Sequence, residues 1–252
     1  MTGGLSWDCN ALMGAGSRVP TIGSSQLEYD QQNGILAMVE IPPAVGSMEA
    51  LFRRPETGRG PYLSRLFAFF SEEVVRHWAG CDQAPYRDIG RPVVWDEAGD
   101  RYHVLDFTLE RRIDGRTFVA ELKCEIEFEG YRYLALHGPE QVKHHELGAA
   151  FQKFLRLARE PTSLRVTIGG KPVAVDGCAL VWGVTSAEGR HAAMRHYGLA
   201  DVLSIETMLQ DLQNWQPETW AECVQKRRRW SDELFDWLSY PAERLGGTEI
   251  DQ

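Results

Sequence analysis

Between Gly90 and Glu125 the chain reads GRPVVWDEAGDRYHVLDFTLERRIDGRTFVAELKCE, in which β-branched, aromatic and aliphatic runs are cut by EAGD and IDGR. Short turns of this chemistry between such runs predict consecutive antiparallel strands, each paired with the next. Side chains alternate between the two faces of a strand. His103, Leu105, Phe107 and Leu109 therefore share one face of their run, and Val104, Asp106 and Thr108 the other. In VAELKCE, Val119, Glu121 and Lys123 share one face, and Ala120, Leu122 and Cys124 the other. An otherwise apolar strand thus aims a carboxylate and an ammonium group at one place. The IDGR turn sets the strand carrying Asp106 beside it.

The remaining segments place elements around these strands. Residues 1–60, rich in Gly, Pro and Ser, read as a loosely structured N-terminal arm whose one convincing strand, GILAMVEIPPAV, stops at Pro42-Pro43. Tyr62 to Gly80 carries Leu63, Leu66, Phe67, Phe70, Val74 and Trp78 at helical spacing and ends on a glycine. On that helix Glu73 lies at the margin of the apolar stripe and Glu72 points away from it, so Glu73 is the acid expected to reach a site. A second helix is expected over Pro139–Arg159, burying Leu147, Phe151, Phe154 and Ala158. SLRVTIGGKPVAVDG reads as a hairpin turning at Gly169-Gly170, and CALVWGVTS as a central strand buried on both faces. SAEGRHAAMRHYG is a short helix, DVLSIETMLQDLQNW a strand running into a helix, and ETWAECVQKRRRWSDELFDWLS a tryptophan-rich helix. These readings divide the chain into an arm (1–60), an α/β core (61–212) and a C-terminal helical extension (213–252).

Composition removes several classes of function. No apolar run approaches the ~20 residues that span a bilayer, and MTGGLSWDCNALMGAG has no basic cluster before an apolar core, so the expected location is the cytoplasm. Cys9, Cys81, Cys124, Cys178 and Cys223 are odd in number and form no CxxC, which argues for reduced thiols over a disulfide framework or structural zinc. A net charge of −9 weighs against a protein that grips nucleic acid through a strong overall positive field.

Asp106 and Glu121, on neighbouring strands and facing the same way, are a suitable pair for a hard divalent cation such as Mg²⁺, with Mn²⁺ as substitute, because such ions prefer oxygen ligands. Lys123 adds a positive charge where a phosphate or an attacking water would sit, completing minimal equipment for phosphodiester hydrolysis. Against this stands a plainer reading: alternating charges on a solvated strand face are common, and their cross-strand pairing is mildly stabilising.

The order of these segments, helix, GRPVVW, DRYHVLDFTLERR, RTFVAELKCE, helix, CALVWGVTS, resembles the PD-(D/E)xK nuclease superfamily. More narrowly, RPVVWDEAGDRYHVLDFTLERRIDGRTFVAELK is similar to the TnsA-type transposon endonucleases. The resemblance spans about 62–212 and is sharp over 90–125. It implies a restriction-endonuclease-like core (α-β-β-β-α-β around a mixed sheet, flanked by helices). It also implies metal held by Asp106, Glu121 and the Leu122 backbone carbonyl, water positioned or activated by Lys123, and a helix acid at Glu73. The implied partners are DNA and a transposase or targeting ATPase subunit. The chain departs from the family pattern at Leu105, where Pro is usual, and at Arg91, where Gln is usual.

Candidate DNA contacts each have a structural alternative. Arg53, Arg54 and Arg59 lie among turn residues and suit either phosphate or solvent. Lys143 and His144, followed by His145, open the second helix, and Gln152 and Lys153 sit further along it. Adjacent histidines lack the spacing of a one-face metal pair. The basic run QKRRRW, flanked by Trp220 and Trp230, suits single-stranded nucleic acid or a helix docking through Trp230, Leu234 and Trp237 on the core or a partner. The sequence thus leads to a metal-dependent DNA endonuclease working within a transposition or defence complex. Its rivals are an inactive nuclease-fold docking module and a self-sufficient restriction or repair nuclease.

Overall fold

A computed structural model of the chain describes residues 26–29, 36–39, 48–52, 56–124 and 135–239. The chain forms two compact units, Met1–Val45 and Gly46–Gln252. In the first, strands β1 (Gln26–Tyr29) and β2 (Leu36–Val39) pair antiparallel. β2 falls inside the expected N-terminal strand; most of the expected arm lies outside the described residues.

The second unit begins with helices α1 (Met48–Phe52) and α2 (Arg59–Gly80), followed by β3 (Tyr86–Asp88), β4 (Val93–Trp95), β5 (Tyr102–Val104), β6 (Phe107–Arg111) and β7 (Thr117–Lys123). After β8 (Ala135–Leu136) come a 3-10 helix (Pro139–Leu147), α3 (Ala149–Arg159), β9 (Val166–Ile168), β10 (Lys171–Pro172), β11 (Gly177–Trp182) and β12 (Val184–Thr185). Helix α4 (Ala187–Tyr197), β13 (Asp201–Ser204), α5 (Ile205–Trp215) and α6 (Glu218–Ser239) complete the unit. The central sheet is mixed, in the order β13-β11-β7-β6-β3: β13, β11 and β7 pair parallel, and β6 pairs antiparallel with both β7 and β3. A second sheet, β10-β9-β4-β5, is antiparallel wherever its strands pair.

Strand alternation makes the fold three-layered. Phe107, Leu109, Phe118, Ala120, Ala179 and Val181 face one core with Val74, Val75 and Trp78 of α2 and Met208 and Leu212 of α5. Val119, Cys178, Leu180 and Trp182 face the other with Phe154 and Leu157 of α3 and Ala193 and Tyr197 of α4. Every residue of β11 is buried, as expected of a strand covered on both faces. Removing side chains such as Phe154 and Trp182 from water contributes about 1.5–3 kcal/mol each. The expected helix boundaries hold for α4, capped by the Ser186 hydroxyl and stopped by Gly198 at φ 73°, and the Gly169-Gly170 turn joins β9 to β10 with both glycines at positive φ.

Two expectations are corrected. The strand expected to hold Asp106 in its middle is broken there: β5 ends at Val104 and β6 begins at Phe107, in different sheets. Yet β3 pairs with β6 and β4 with β5 in one continuous register, so 86–95 and 102–111 form a single long hairpin bent in the middle. On one limb the bend is made by Ile89 to Pro92, where Gly90 takes φ 120° and donates to Asp88 Oδ1 at 2.9 Å. On the other limb the bend falls at Leu105-Asp106. The second correction concerns the helix expected over 139–159, which divides at Gly148 into a 3-10 segment and α3. Gln141 explains the tighter first segment. Its side chain accepts from the His137 and Gly138 N–H groups and donates to Ala135 O, fastening the segment to β8. Leu147, expected to be buried, is 88% exposed as a result.

An added Cβ at Gly90 would meet Ile168 Cγ2 at 2.9 Å, at a φ that side chains rarely adopt. Gly90→Ala is accordingly expected to lower unfolding free energy in urea by more than about 1 kcal/mol. An unchanged denaturation midpoint would show that the bend does not need glycine.

Candidate active site

The carboxylate pair is assembled by strand register. β6 and β7 pair antiparallel from Glu110↔Thr117 to Phe107↔Ala120, and one step further places Asp106 opposite Glu121. Because the hairpin bends away at that step, Asp106 is free to turn its side chain along β7. Its Oδ2 accepts the Leu122 backbone N–H at 2.8 Å. Glu121 is 5% exposed, and its Oε1 accepts from Lys123 Nζ at 2.8 Å. Lys123 keeps a quarter of its side chain in solvent and lies 5.9 Å from the Phe151 ring centroid at the start of α3. Asp106, Glu121 and Lys123 therefore do come together, and the Leu122 peptide is drawn in through its N–H.

The electrostatics are those of a site short of positive charge. Burial, and then the neighbouring Asp106 carboxylate, push Glu121 above the ordinary glutamate value, while Lys123 pulls the other way. Glu121 Oε2 is fully enclosed and accepts no hydrogen bond; the Asp106 backbone N–H lies near the carboxylate without bonding that atom. A buried acceptor left unsatisfied costs about 1–3 kcal/mol, and a cation between the two carboxylates would remove that cost. The donor set fits a hard divalent ion, two carboxylates with a lysine alongside. Among the described residues no cluster of three or more His, Cys, Asp or Glu side chains is placed to hold a metal, so any remaining ligands would be backbone oxygen or water.

Glu73 is placed elsewhere. Its carboxylate is bound by Arg227 of α6 through both Nε and a terminal nitrogen, and accepts from Cys223 Sγ at 3.0 Å. These bonds, Arg227 first, hold it below the ordinary glutamate value. The physical reason is the layering: α2 packs on the face of β7 that carries Ala120, whereas Glu121 and Lys123 point to the opposite face. Glu72, expected to point away, is the acid that reaches the hairpin bend, accepting from Arg91 at 3.0 Å and from Arg76 at 2.6 Å. Arg76 in turn lies over the ring of Phe107, 5.7 Å from its centroid.

Of the expected DNA contacts, Arg53 and Arg54 lie outside the described residues, and Arg59 is turned inward, donating to Leu51 O at 2.5 Å. Lys143 is exposed on the 3-10 segment, and His144 lies against His145 with ring centroids 3.9 Å apart and the rings tilted by 39°. Lys153 Nζ is enclosed without a hydrogen-bond partner among the described residues, beside a pocket lined by Asp96, Glu97 and Arg156.

Sequence reasoning passed over the wall that His145, Phe151 and Trp182 build beside Lys123. His145 lies 5.5 Å from the Phe151 ring and 6.2 Å from the Trp182 ring. Burial, then the His144 and Lys123 charges, hold its imidazole down to about 3, so it is neutral at physiological pH. The only local signal was the glycine at 148, which ends the 3-10 segment and turns the chain into α3.

Comparison with protein-family models, curated proteins and solved structures returns no match. No helix among the described residues is long and apolar enough to cross a membrane.

Ionisation of Glu121 weighs against folding. The penalty is absent below its unfolded value, grows as pH rises to the higher folded value, and is constant above it. Glu121→Gln is therefore expected to raise Tm at pH 7 by about 2–4 °C, the effect of roughly 1 kcal/mol in a chain of this size. The gain should vanish as pH falls through the carboxylate range. A Tm difference independent of pH would contradict a buried, charge-strained Glu121.

Proposed function

We propose that the chain is a metal-dependent DNA endonuclease with a restriction-endonuclease-like core, similar to the TnsA-type subunits of transposition complexes. The observation that carries the reading is the enclosed, unsatisfied Glu121 Oε2 opposite Asp106, with Lys123 2.8 Å from the other oxygen. A solvated, decorative charge pattern would not bury its glutamate. The order of elements around the site, α2, the bent hairpin, β7, α3 and β11, also agrees with that family's core.

Asp106 and Glu121 would hold Mg²⁺ or Mn²⁺. Bound there, such an ion lowers the pKa of water and stabilises the charge that develops on a phosphoryl group. Lys123, partly exposed and at the open end of β7, would donate to a phosphate oxygen or to the attacking water. His145, Phe151 and Trp182 screen one side of Lys123 from water, which strengthens its interaction with a bound phosphate. Glu73, fastened to α6, takes no part, and Glu72 acts through Arg91 on the hairpin bend.

The net charge of −9 supports a nuclease whose DNA is presented by a partner over one that finds DNA unaided. The test is nicking of supercoiled plasmid in Mg²⁺ or Mn²⁺, alone and with a candidate targeting subunit. Wild type should cleave, and Lys123→Ala should lose about 10²–10³-fold of that rate with an unchanged circular dichroism spectrum. Cleavage at the wild-type rate by Lys123→Ala would overturn the assignment. DNA binding with no cleavage under any of these conditions would favour an inactive docking module.

A further inference from the structure

Helix α6 is 22 residues long and buries none of its side chains. Its contacts to α2 run in opposite senses along the two helices, so the pair is antiparallel. Trp220 meets His77 with ring centroids 5.6 Å apart, Cys223 and Arg227 bind Glu73, and Phe235 meets Tyr62 at 6.3 Å. The grip is polar at its centre. Alongside it, Trp230 is 47% exposed, Leu234 54%, Trp237 62% and Leu238 60%, and Phe69 of α2 is 79% exposed. At 100° per residue Trp230, Leu234 and Trp237 form one stripe, in the three-four spacing of a helix-helix seam. A contiguous apolar strip of this kind on a protein surface marks an interaction site.

The charges on α6 identify what fits it. Lys226, Arg227, Arg228 and Arg229 precede Trp230, and Asp232, Glu233 and Asp236 follow it. Lys226 and Glu233 lie one heptad apart on the same flank of the stripe, on either side of Trp230. Their present partners, Glu222 and Arg229, are exposed neighbours on the same helix, a kind of pair worth little. An identical helix laid antiparallel about a two-fold axis at Trp230 places Lys226 of each copy beside Glu233 of the other. It also lays each basic half along an acidic half. A parallel arrangement would set like charges together.

We infer that the α2–α6 face is a homodimer interface, with the α6 helices of two copies packed antiparallel through Trp230, Leu234 and Trp237. This pattern is complementary to itself, which is what an isologous two-fold contact requires. The inference does not depend on the nuclease reading, since it uses no residue of the Asp106–Glu121 site.

Sedimentation velocity on the full chain tests it. A concentration-dependent dimer is expected, and Leu234→Glu or Trp237→Glu should weaken it by at least about tenfold with an unchanged circular dichroism spectrum, because both side chains are exposed in the single chain. Lys226→Glu and Glu233→Lys should each weaken the dimer, and the double variant should restore it. A monomer at every concentration up to the solubility limit would overturn the proposal and leave the strip to a different protein. So would a dimer indifferent to Leu234→Glu, or a double charge variant no tighter than the single ones.

Discussion

A glutamate on a strand buried on both faces is the constraint around which the described core is arranged. β7 lies between β6 and β11 in the middle of the sheet, with Val119, Ala120 and Glu121 almost wholly withdrawn from water. Burying a carboxylate is costly unless it is paired or coordinates a cation. Here one oxygen is met by Lys123, and the other is enclosed without a hydrogen bond although the Asp106 N–H lies beside the carboxylate. The bend in the preceding hairpin makes the matter sharper. Had 86–111 continued as a flat hairpin, Asp106 would be an ordinary strand residue; the break at Leu105 lets its carboxylate turn onto the Leu122 N–H, beside Glu121. Two negative charges are thereby brought together in a site with one lysine.

The rest of the unit supports that arrangement from both sides. On one face α2 packs beneath Phe107 and Ala120, and its Glu72 bonds Arg91 at the hairpin bend. On the other face the 3-10 segment, pinned by Gln141 and stopped at Gly148, delivers His145 and Phe151 to the flank of Lys123. The same layering separates Glu73 from the site. A helix on the Ala120 face cannot extend an acid through the sheet, and Glu73 instead fastens α6, whose apolar strip it leaves uncovered.

Much of this was legible in the residues. Turn chemistry at IDGR and two-residue alternation were enough to set Asp106 beside Glu121 and Lys123, because a tight turn fixes the register of the strands it joins. The continuous apolar run at 178–182 was likewise enough to mark β11 as central. What periodicity missed has a common cause, which is that it describes regular elements only. The bend at Ile89–Pro92 and Leu105–Asp106 is invisible to a two-residue period that continues across it. The 3-10 segment was hidden because it runs directly into the apolar spacing of Leu147, Phe151, Phe154 and Ala158, which reads as one helix. The helix alone could not tell where Glu72 and Glu73 go, because their partners Arg91 and Arg227 are distant in sequence.

The central claim is that Asp106 and Glu121 form a site for a hard divalent cation. Titration calorimetry with Mn²⁺ tests it without DNA, a partner or turnover, using wild type and Asp106→Ala, each verified as folded. The account predicts stoichiometric binding to wild type, accompanied by a rise in Tm, and loss of both in Asp106→Ala. Equal binding by the two proteins, or none by a folded wild type, would contradict it.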